Sequence, residues 1–336
     1  MNVSVVIPVC NKAPYLGACI ESVLGQTYGD LEIIAVDDAS TDGSLDVLHG
    51  YMDDRLKVVA LPQNLGPAGA AQHAMDLATG TYILRVDADD ILLPQRCARQ
   101  VEFLDAHPEV GVLGTGVHII GDSVTTRERA TNDADLRAQL LFGVAVFQPT
   151  SAYRAAVLKA HGLRYEPTWP RYGEDWLFQV RLARHTRFAN LPEPLVTYRH
   201  GPQGISFGLD RGAVLVPLFS DVFQHLDIPH QQETFALHAM ALGTMPATLN
   251  AGHVLAFRAW LDALLDWNQR VAWTTSQAMH DRVDRAWEGL FPHLPAHGLE
   301  VVNAYRRAGG RMDMSRWYYL MRTWFSRARR TTFGLA

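Results

Sequence analysis

Three carboxylates follow a short apolar run in the first third of this 336-residue chain. Residues 82–91 read Tyr-Ile-Leu-Arg-Val-Asp-Ala-Asp-Asp-Ile, which predicts a buried strand that ends in Asp87, Asp89 and Asp90. In open α/β sheets the carboxyl ends of the strands form the crevice where ligands bind. Carboxylate oxygens placed there are hard ligands of the kind that divalent cations prefer. A surface turn with solvated aspartates is the alternative, and the surrounding sequence decides between the two.

The elements before this segment alternate between strand-type and helix-type patterns. Gly80 closes the third helical pattern just before the strand at residues 82–86, as expected at the end of a helix. Such alternation predicts a parallel sheet covered by helices. The predicted strands are Val3–Ile7, Leu31–Val36 and Leu56–Leu61, and the predicted helices are Tyr15–Leu24, Ser44–Leu48 and Ala68–Ala78.

Downstream of the carboxylates the pattern stays mixed and then becomes helical. One predicted helix opens with two acids, Glu174 and Asp175, which suit the positive end of the helix dipole. From about Gly208 the tryptophan-rich segments predict a mostly helical carboxy-terminal region. The predicted elements are helices at Pro94–His107, Glu174–Arg184, Val254–Trp267 and Val271–Leu290, and strands at Val110–Ile120 and Gly143–Arg154.

Composition limits the classes of protein that the chain can be. Hydrophobic residues make up 48% and charged residues 19%, which is typical of a globular protein. The formal net charge of −5 argues against a nucleic-acid partner. No uninterrupted apolar run approaches the roughly 18–20 residues that a membrane-spanning helix needs. The three cysteines are odd in number and lack metal-ligand spacing, which predicts a reducing, cytoplasmic compartment.

A longer set of motifs surrounds the carboxylates and follows one order along residues 1–205. The motifs are Val3–Lys12, Tyr15-Leu16, Ser22–Leu24, Gln26–Tyr28, Glu32–Ser44, Asn64–Gly66, Arg85–Asp90, Leu93–Arg96 with Gln100, Pro108–Gly111, Pro149-Thr150 and Gly173–Asp175. In this order they resemble the family 2 glycosyltransferases of the GT-A fold. The resemblance implies a mostly parallel, Rossmann-like central sheet flanked by helices. Residues 1–110 would bind the nucleotide sugar and residues 111–205 the acceptor, and residues 206–336 would form a separate helical region.

The resemblance also implies a donor, a nucleotide-diphosphate sugar with uridine diphosphate as the expected carrier. Asp38 matches the family's uracil-contacting aspartate, and it ends the second predicted strand beside Pro8 and Val9 of the first strand. Gly66 could let the backbone approach the donor, or could simply make a turn. An Asx turn is the alternative for Asp38, although Asp42 suits that role better.

Three further residues of the segment at 85–90 are expected at the donor. Asp87 and Ala88 would lie beside the ribose and the donor sugar. Arg85 is a cation within an otherwise apolar strand, and burying it is costly unless an anion pairs with it. We therefore expect Arg85 to hold an aspartate or a donor phosphate, and a strand-edge arginine that reaches solvent is the alternative.

A divalent cation, Mn²⁺ or Mg²⁺, is the expected cofactor, because the departure of a diphosphate requires charge neutralisation. Asp89 is the first candidate for the protein ligand, with diphosphate oxygens and water completing the coordination. His200 precedes Gly201–Gly204, a stretch that resembles the family's closing loop, and it is the second candidate. Asp90 is expected to support the site or to cap a helix.

Asp175 is the candidate general base. It matches the aspartate of the family's Glu-Asp motif, which acts as the base of a single inverting displacement. A carboxylate within reach of an acceptor hydroxyl can take its proton as the new bond forms. Glu174 is expected to position Asp175 or a nearby loop, and Trp176 to contact an acceptor sugar. The alternatives are a helix start stabilised by two acids and a core tryptophan.

Two positions depart from the family. Cys10 stands where many members carry an aromatic residue near the base, which weakens the case for base stacking. Ala71-Gln72 stands where many members carry Arg-Asn, and this removes a phosphate-binding cation that Arg85 could replace.

The expected acceptor is a hydroxyl of a saccharide or of a lipid-linked molecule. The tail Ser315–Arg330 mixes aromatic residues with arginines. Such a tail suits a peripheral amphipathic helix on an anionic membrane, and equally a terminal helix that packs on its own domain.

Two other classes of protein share this kind of site. A nucleotidyltransferase that makes sugar nucleotides is expected to have a glycine- and cation-rich phosphate loop after its first strand, where this chain reads Pro8-Val9-Cys10-Asn11. The second class is a degenerate nucleotide-binding scaffold that keeps the fold without turnover, and the retained Asp38, Asp89 and Asp175 argue against such degeneration. Both alternatives are therefore disfavoured.

Overall fold

The computed structural model of the protein describes residues 1–121, 124–166, 168–201 and 209–333. The chain divides into two compact units, Met1–Leu209 and Asp210–Ala336. The predicted boundary between residues 205 and 206 lies outside the described residues.

The first four strands of the amino-terminal unit form a parallel sheet in the order β3-β2-β1-β4. Their register pairs Val9 of β1 with Asp37 of β2, and Val6 of β1 with Arg85 of β4. The apolar residues of β1 and β2 are almost wholly buried, which explains their continuous rather than alternating hydrophobic pattern. The strands are β1 (Val3–Val9), β2 (Leu31–Asp37), β3 (Leu56–Ala60) and β4 (Tyr82–Arg85).

The sheet continues from β4 in the order β8-β6-β9-β5, with β7 beside β6. Strands β6 and β9 run in the same direction as β1–β4, whereas β5, β7 and β8 run in the opposite direction. Six strands therefore share one direction, and their carboxyl ends meet at one edge of the sheet. This confirms the predicted α/β fold with a mainly parallel sheet. The strands are β5 (Ile91–Leu92), β6 (Val110–Ile120), β7 (Thr125–Arg127), β8 (Ala152–Arg154) and β9 (Arg187–Arg199).

Helices connect these strands and bury their apolar faces. Helix α1, for example, buries Leu16, Cys19, Ile20 and Val23, which recur at the spacing of one helix face. The helices are α1 (Ala13–Leu24), α2 (Ser44–His49), α3 (Gly66–Asp76), α4 (Arg96–Ala106), α5 (Asp133–Leu140), α6 (Ala155–His161) and α7 (Glu174–Leu182).

The carboxy-terminal unit is helical, as predicted. Its longest helix, α10, begins with a capping box in which the Asn250 side chain accepts the His253 backbone N–H at 2.9 Å. Phe257, Trp260 and Trp267 of this helix are buried. None of the described helices is long and apolar enough to cross a membrane. The helices are α8 (Arg211–His225), α9 (Gln232–Met240), α10 (Ala251–Val271), α11 (Ser276–Leu290), α12 (Leu299–Arg307) and α13 (Met314–Phe333).

Two of the differences from the sequence prediction in the amino-terminal unit arise at prolines. The strand predicted over Gly143–Arg154 is limited to Ala152–Arg154, because a 3₁₀ turn at Gln148–Thr150 contains Pro149, which has no N–H to donate to a ladder. Strand β9 is not predicted by the sequence pattern, since Pro192 and Pro194 interrupt it. Its register against β6 shifts opposite these prolines, so the strand tolerates them as irregularities.

Candidate active site

The ends of β1 and β2 place Asp38 at the carboxyl edge of the sheet. The backbone N–H of Asp38 donates to the Val9 carbonyl at 2.7 Å, which fixes this aspartate beside Pro8 and Val9 as expected. Its carboxylate accepts the backbone N–H groups of Leu65 at 2.6 Å and Gly66 at 2.9 Å. Burial raises the pKa of the Asp38 carboxyl, and these two hydrogen bonds oppose that rise. Asp38 therefore joins the end of β2 to the first residue of α3.

Gly66 is required at this turn by its backbone conformation. Its φ angle is +76°, a left-handed value that glycine adopts without steric strain. A Cβ at this position would contact the Arg171 side chain at 3.7 Å. Arg171 also donates to the Asn64 side chain at 2.5 Å. The sequence analysis did not identify this arginine near Asp38. The only available signal was its position two residues before Gly173, where the motif Gly173–Asp175 begins.

Asp89 forms the shortest ion contact of the site. Its carboxylate lies 2.6 Å from the Lys12 ammonium, and only 8% of the residue is exposed. Lys12 follows the end of β1, and sequence reasoning also missed it, although its position at a strand's carboxyl end was a usable signal. Among the residues that the structure describes, no group of three or more His, Cys, Asp or Glu side chains is arranged to hold a metal ion. Asp89 alone still fits a cation whose remaining ligands are phosphate oxygens and water.

Asp90 supports the edge of the site and caps no helix. Its carboxylate accepts the backbone N–H of Arg199 at 2.8 Å, and the Arg199 guanidinium donates to the Asp89 carbonyl at 3.2 Å. Burial raises the pKa of Asp90 well above its ordinary value. Helix α4 begins only at Arg96, after Gln95, so the capping alternative is wrong. Asp90 instead joins the loop after β4 to the end of β9.

Arg85 is buried and only partly paired. Its guanidinium lies 3.4 Å from the Asp87 carboxylate, with 5% of the arginine side chain and 30% of the aspartate side chain exposed. The Arg85 Nε and Nη1 atoms are buried without a hydrogen-bond partner. Burial lowers the pKa of Arg85, but the surrounding acidic groups, first Asp87, then Tyr165 and Glu174, outweigh it and hold the pKa above its usual value. The alternative of an arginine that reaches solvent is therefore wrong.

Glu174 and Asp175 begin α7, directly after Gly173, whose φ of +85° turns the chain into the helix. Burial raises the pKa of Glu174 to about 8, and the adjacent Asp175 adds to this rise. Burial also raises the pKa of Asp175 to about 6, opposed by the Trp176 backbone N–H and by the charge of Arg85. The charge of the buried Arg85 therefore acts on both acids of α7 and on Asp87 after β4.

Two predicted contact residues face the core instead of a ligand. Trp176 is 1% exposed, and its indole N–H donates to the Leu140 carbonyl at 2.7 Å. Stacking on an acceptor sugar is therefore wrong for Trp176, since its ring is enclosed by protein. The Ala88 side chain is also part of the hydrophobic core, which leaves only its backbone for a donor.

His200 lies at the same edge of the sheet as the acids. It follows β9, its side chain is exposed, and its backbone N–H donates to the Ile120 carbonyl at 2.8 Å. Of the predicted closing-loop stretch Gly201–Gly204, residues 202–204 lie outside the described residues. A role of His200 as a metal ligand stays a prediction.

Comparisons with known proteins identify the family. The model of the family "Glycosyl transferase family 2" matches residues 4–162, which contain the carboxylate segment after β4. An uncharacterised glycosyltransferase of Haemophilus influenzae is 32% identical over 215 residues, covering 60% of this chain and 66% of the relative. Residues 4–162 thus form a glycosyl transferase family 2 domain. It nevertheless spans less than two thirds of the length of the first curated relatives that it matches.

Solved structures show that the fold extends beyond the residues matched by the family model. S. aureus TarS 1-349 in complex with UDP-GlcNAc has a TM-score of 0.59 at 20% identity, covering 92% of this chain and 90% of TarS 1-349. The mannosyltransferase PcManGT of Pyrobaculum calidifontis, in complex with GDP-Man and Mn²⁺, has a TM-score of 0.51 at 17% identity, covering 100% of this chain and 88% of that one. At these identities the likeness concerns the fold, and it confirms the GT-A architecture predicted from the motifs.

Proposed function

We propose that the chain transfers a sugar from a nucleotide-diphosphate sugar to a hydroxyl of a saccharide or lipid-linked acceptor. The acceptor oxygen forms a bond to the anomeric carbon while the bond from that carbon to the diphosphate oxygen breaks. The nucleoside diphosphate leaves, and the acceptor proton passes to a carboxylate of the protein. A single displacement of this kind inverts the anomeric configuration.

The placement of Asp175 is the observation that carries this proposal. A general base works best when its pKa lies near the working pH, and burial raises the pKa of Asp175 to about 6. At neutral pH the carboxylate would then be mostly ionised yet still basic enough to accept a proton. Asp175 shares the buried Arg85 with Asp87, which follows the donor-side strand β4. The candidate base is thereby linked to the candidate donor site through one cation.

The residues at the carboxyl edge of the sheet are proposed to bind the donor. Asp38, held beside Val9 and the start of α3, is proposed to recognise the nucleotide base. Asp87 is proposed to bind the ribose or the donor sugar, and Lys12 to place a positive charge near the diphosphate. Arg85 is proposed to act through Asp87 and Asp175 rather than on a phosphate, because its side chain is almost wholly buried.

Asp89 is the residue proposed to hold a divalent cation, Mn²⁺ or Mg²⁺. When bound, such an ion acts as a Lewis acid that stabilises the departing diphosphate. The hard carboxylate oxygens of Asp89, together with phosphate oxygens, suit either ion. The Mn²⁺ named with the mannosyltransferase PcManGT supports this assignment by analogy of fold.

Uridine diphosphate is the first carrier to test. The UDP-GlcNAc named with TarS supports a uridine nucleotide, and the GDP-Man named with PcManGT makes a guanosine nucleotide the second carrier to test. A polysaccharide or a lipid-linked precursor of the cell envelope is the proposed class of acceptor.

The identity of the released product distinguishes glycosyl transfer from the two alternative functions. The chain is incubated with Mn²⁺ and each of several UDP- and GDP-sugars, with and without saccharide acceptors, and the released nucleotide is measured. Release of nucleoside diphosphate that depends on Asp175 is the expected result. Release or consumption of pyrophosphate would instead indicate a nucleotidyltransferase, and no turnover with any pair would indicate a binding scaffold.

A further inference from the structure

The last helix, α13, presents an apolar face to solvent. Met314, Trp317, Tyr318 and Met321 recur at the spacing i, i+3, i+4, i+7, which places them on one side of the helix. Each is between 40% and 84% exposed. In the sequence the same spacing continues with Trp324, Phe325 and Ala328. Large apolar residues clustered on one exposed face are typical of an interaction surface.

The opposite side of α13 is anchored to its own unit. Leu320 is fully buried, and Arg316 forms an ion pair with Glu288 of α11. The Arg316 guanidinium also donates to the Tyr305 hydroxyl at 3.0 Å and lies 4.8 Å from the centre of the Phe291 ring. These contacts fix the rotation of the helix about its axis. The outward direction of the apolar face is therefore set by packing.

The charge of this segment indicates what the face contacts. Residues 311–330 contain six arginines and one aspartate, a net charge of +5, in a chain whose total is −5. The remainder of the chain thus carries −10 and would be repelled by an anionic surface. A helix with one apolar face and arginines beside it is the usual pattern of a segment that lies in a membrane interface.

We propose that α13 docks the protein on an anionic lipid bilayer, with its apolar face in the interface and the exposed Arg322 at the lipid headgroups. Each basic residue near such a surface adds attraction, and the acidic remainder of the chain orients the protein away from the lipid. A second copy of the chain fits the same face less well. A two-fold contact would bring two strongly basic segments together, and like charges repel.

Flotation of the full-length chain with lipid vesicles tests the proposal independently of any transfer activity. Vesicles of phosphatidylcholine alone are compared with vesicles in which one third of the lipid is phosphatidylglycerol, at low and high salt. We expect flotation only with the anionic vesicles, weakened at high salt because salt screens the attraction. Absence of flotation at low salt would overturn the proposal.

A pair of matched variants assigns the binding to α13. Trp317→Ser with Met321→Ser removes the centre of the apolar face and is expected to weaken vesicle binding by about tenfold or more. Leu255→Ser with Leu299→Ser removes two exposed apolar residues elsewhere in the same unit and is expected to leave binding unchanged. Circular dichroism and thermal unfolding are used to check that both variants are folded. Equal vesicle binding by the two variants would overturn the proposal. The proposal would also be overturned if the parent chain formed a dimer without lipid and only the Trp317→Ser, Met321→Ser variant lost that dimer. The face would then bind a second copy.

Discussion

The Lys12 ammonium lies 2.6 Å from the carboxylate of Asp89, joining the loop after β1 to the loop after β4. The fixed positive charge of Lys12 thus contacts the same carboxylate that is proposed to hold a divalent cation. The lysine charge is part of the chain and is present without added metal, whereas the charge of a bound metal ion is present only when metal is added. Substitution of each partner separates their contributions to binding of the diphosphate.

Asp89→Ala is expected to abolish the dependence of nucleoside diphosphate affinity on Mn²⁺, because the proposed protein ligand is gone. Lys12→Met is expected to keep that dependence but to weaken metal-free binding about fivefold, as for the loss of one ion contact worth ~1 kcal/mol. Isothermal titration calorimetry with and without Mn²⁺ measures both affinities. Unchanged metal dependence in Asp89→Ala would assign the ion to another residue.

Asp175→Asn is expected to lower kcat by about 10²–10⁴-fold, the usual contribution of a positioned base. The affinity for the donor should remain close to that of the parent, because the substitution removes a charge without changing the side-chain shape. Asp54→Asn, at an exposed turn, is the matched control and should leave kcat unchanged. Transfer by Asp175→Asn near the parent rate would show that another group takes the proton.

The pH dependence of transfer is expected to follow Asp175. With its pKa raised to about 6, kcat/KM should rise with pH below that value and level off above it, since only the ionised carboxylate accepts a proton. The Arg85 charge favours the ionised form, so Arg85→Met should raise the pKa and move the rise to higher pH. Arg85→Lys keeps the charge and should move it less. A pH profile that is unchanged, or moved to lower pH, in Arg85→Met would contradict this coupling.

Glu174→Gln is expected to stabilise the fold at high pH. The pKa of Glu174 is about 8 in the folded chain, above the ordinary value of 4.5. The folded state therefore holds a proton that the unfolded state releases, and stability is lost as the pH rises from about 4.5 to about 8. Glutamine has no proton to lose, so the gain in unfolding free energy should be on the order of 4 kcal/mol at pH 8 and under about 1 kcal/mol at pH 5. Chemical denaturation at the two pH values checks this, and an equal gain at both would contradict it.

The strands of the first half could be predicted because they are buried and continuous. β1, β2 and β4 are mostly apolar runs, and such runs carry their signal locally. β9 could not be predicted, since its prolines break the pattern and its pairing with β6 is made between distant parts of the chain. For the same reason Gly143–Arg154 was predicted as one strand, although tertiary packing leaves only three of its residues in the sheet.

The sequence by itself determined the family, the α/β fold and the identity of the acids, because these are properties of residue type and order. Only the tertiary structure decided which side chains meet. It buried Trp176 in the core, hydrogen-bonded the Asp90 carboxylate to the backbone N–H of Arg199, and paired Lys12 with Asp89. It also buried Arg85 where its charge acts on Asp87, Glu174 and Asp175, which lie up to 90 positions away in sequence. Burial and charge pairing depend on such distant neighbours, and so the ionisation of the candidate base could not be known before the fold.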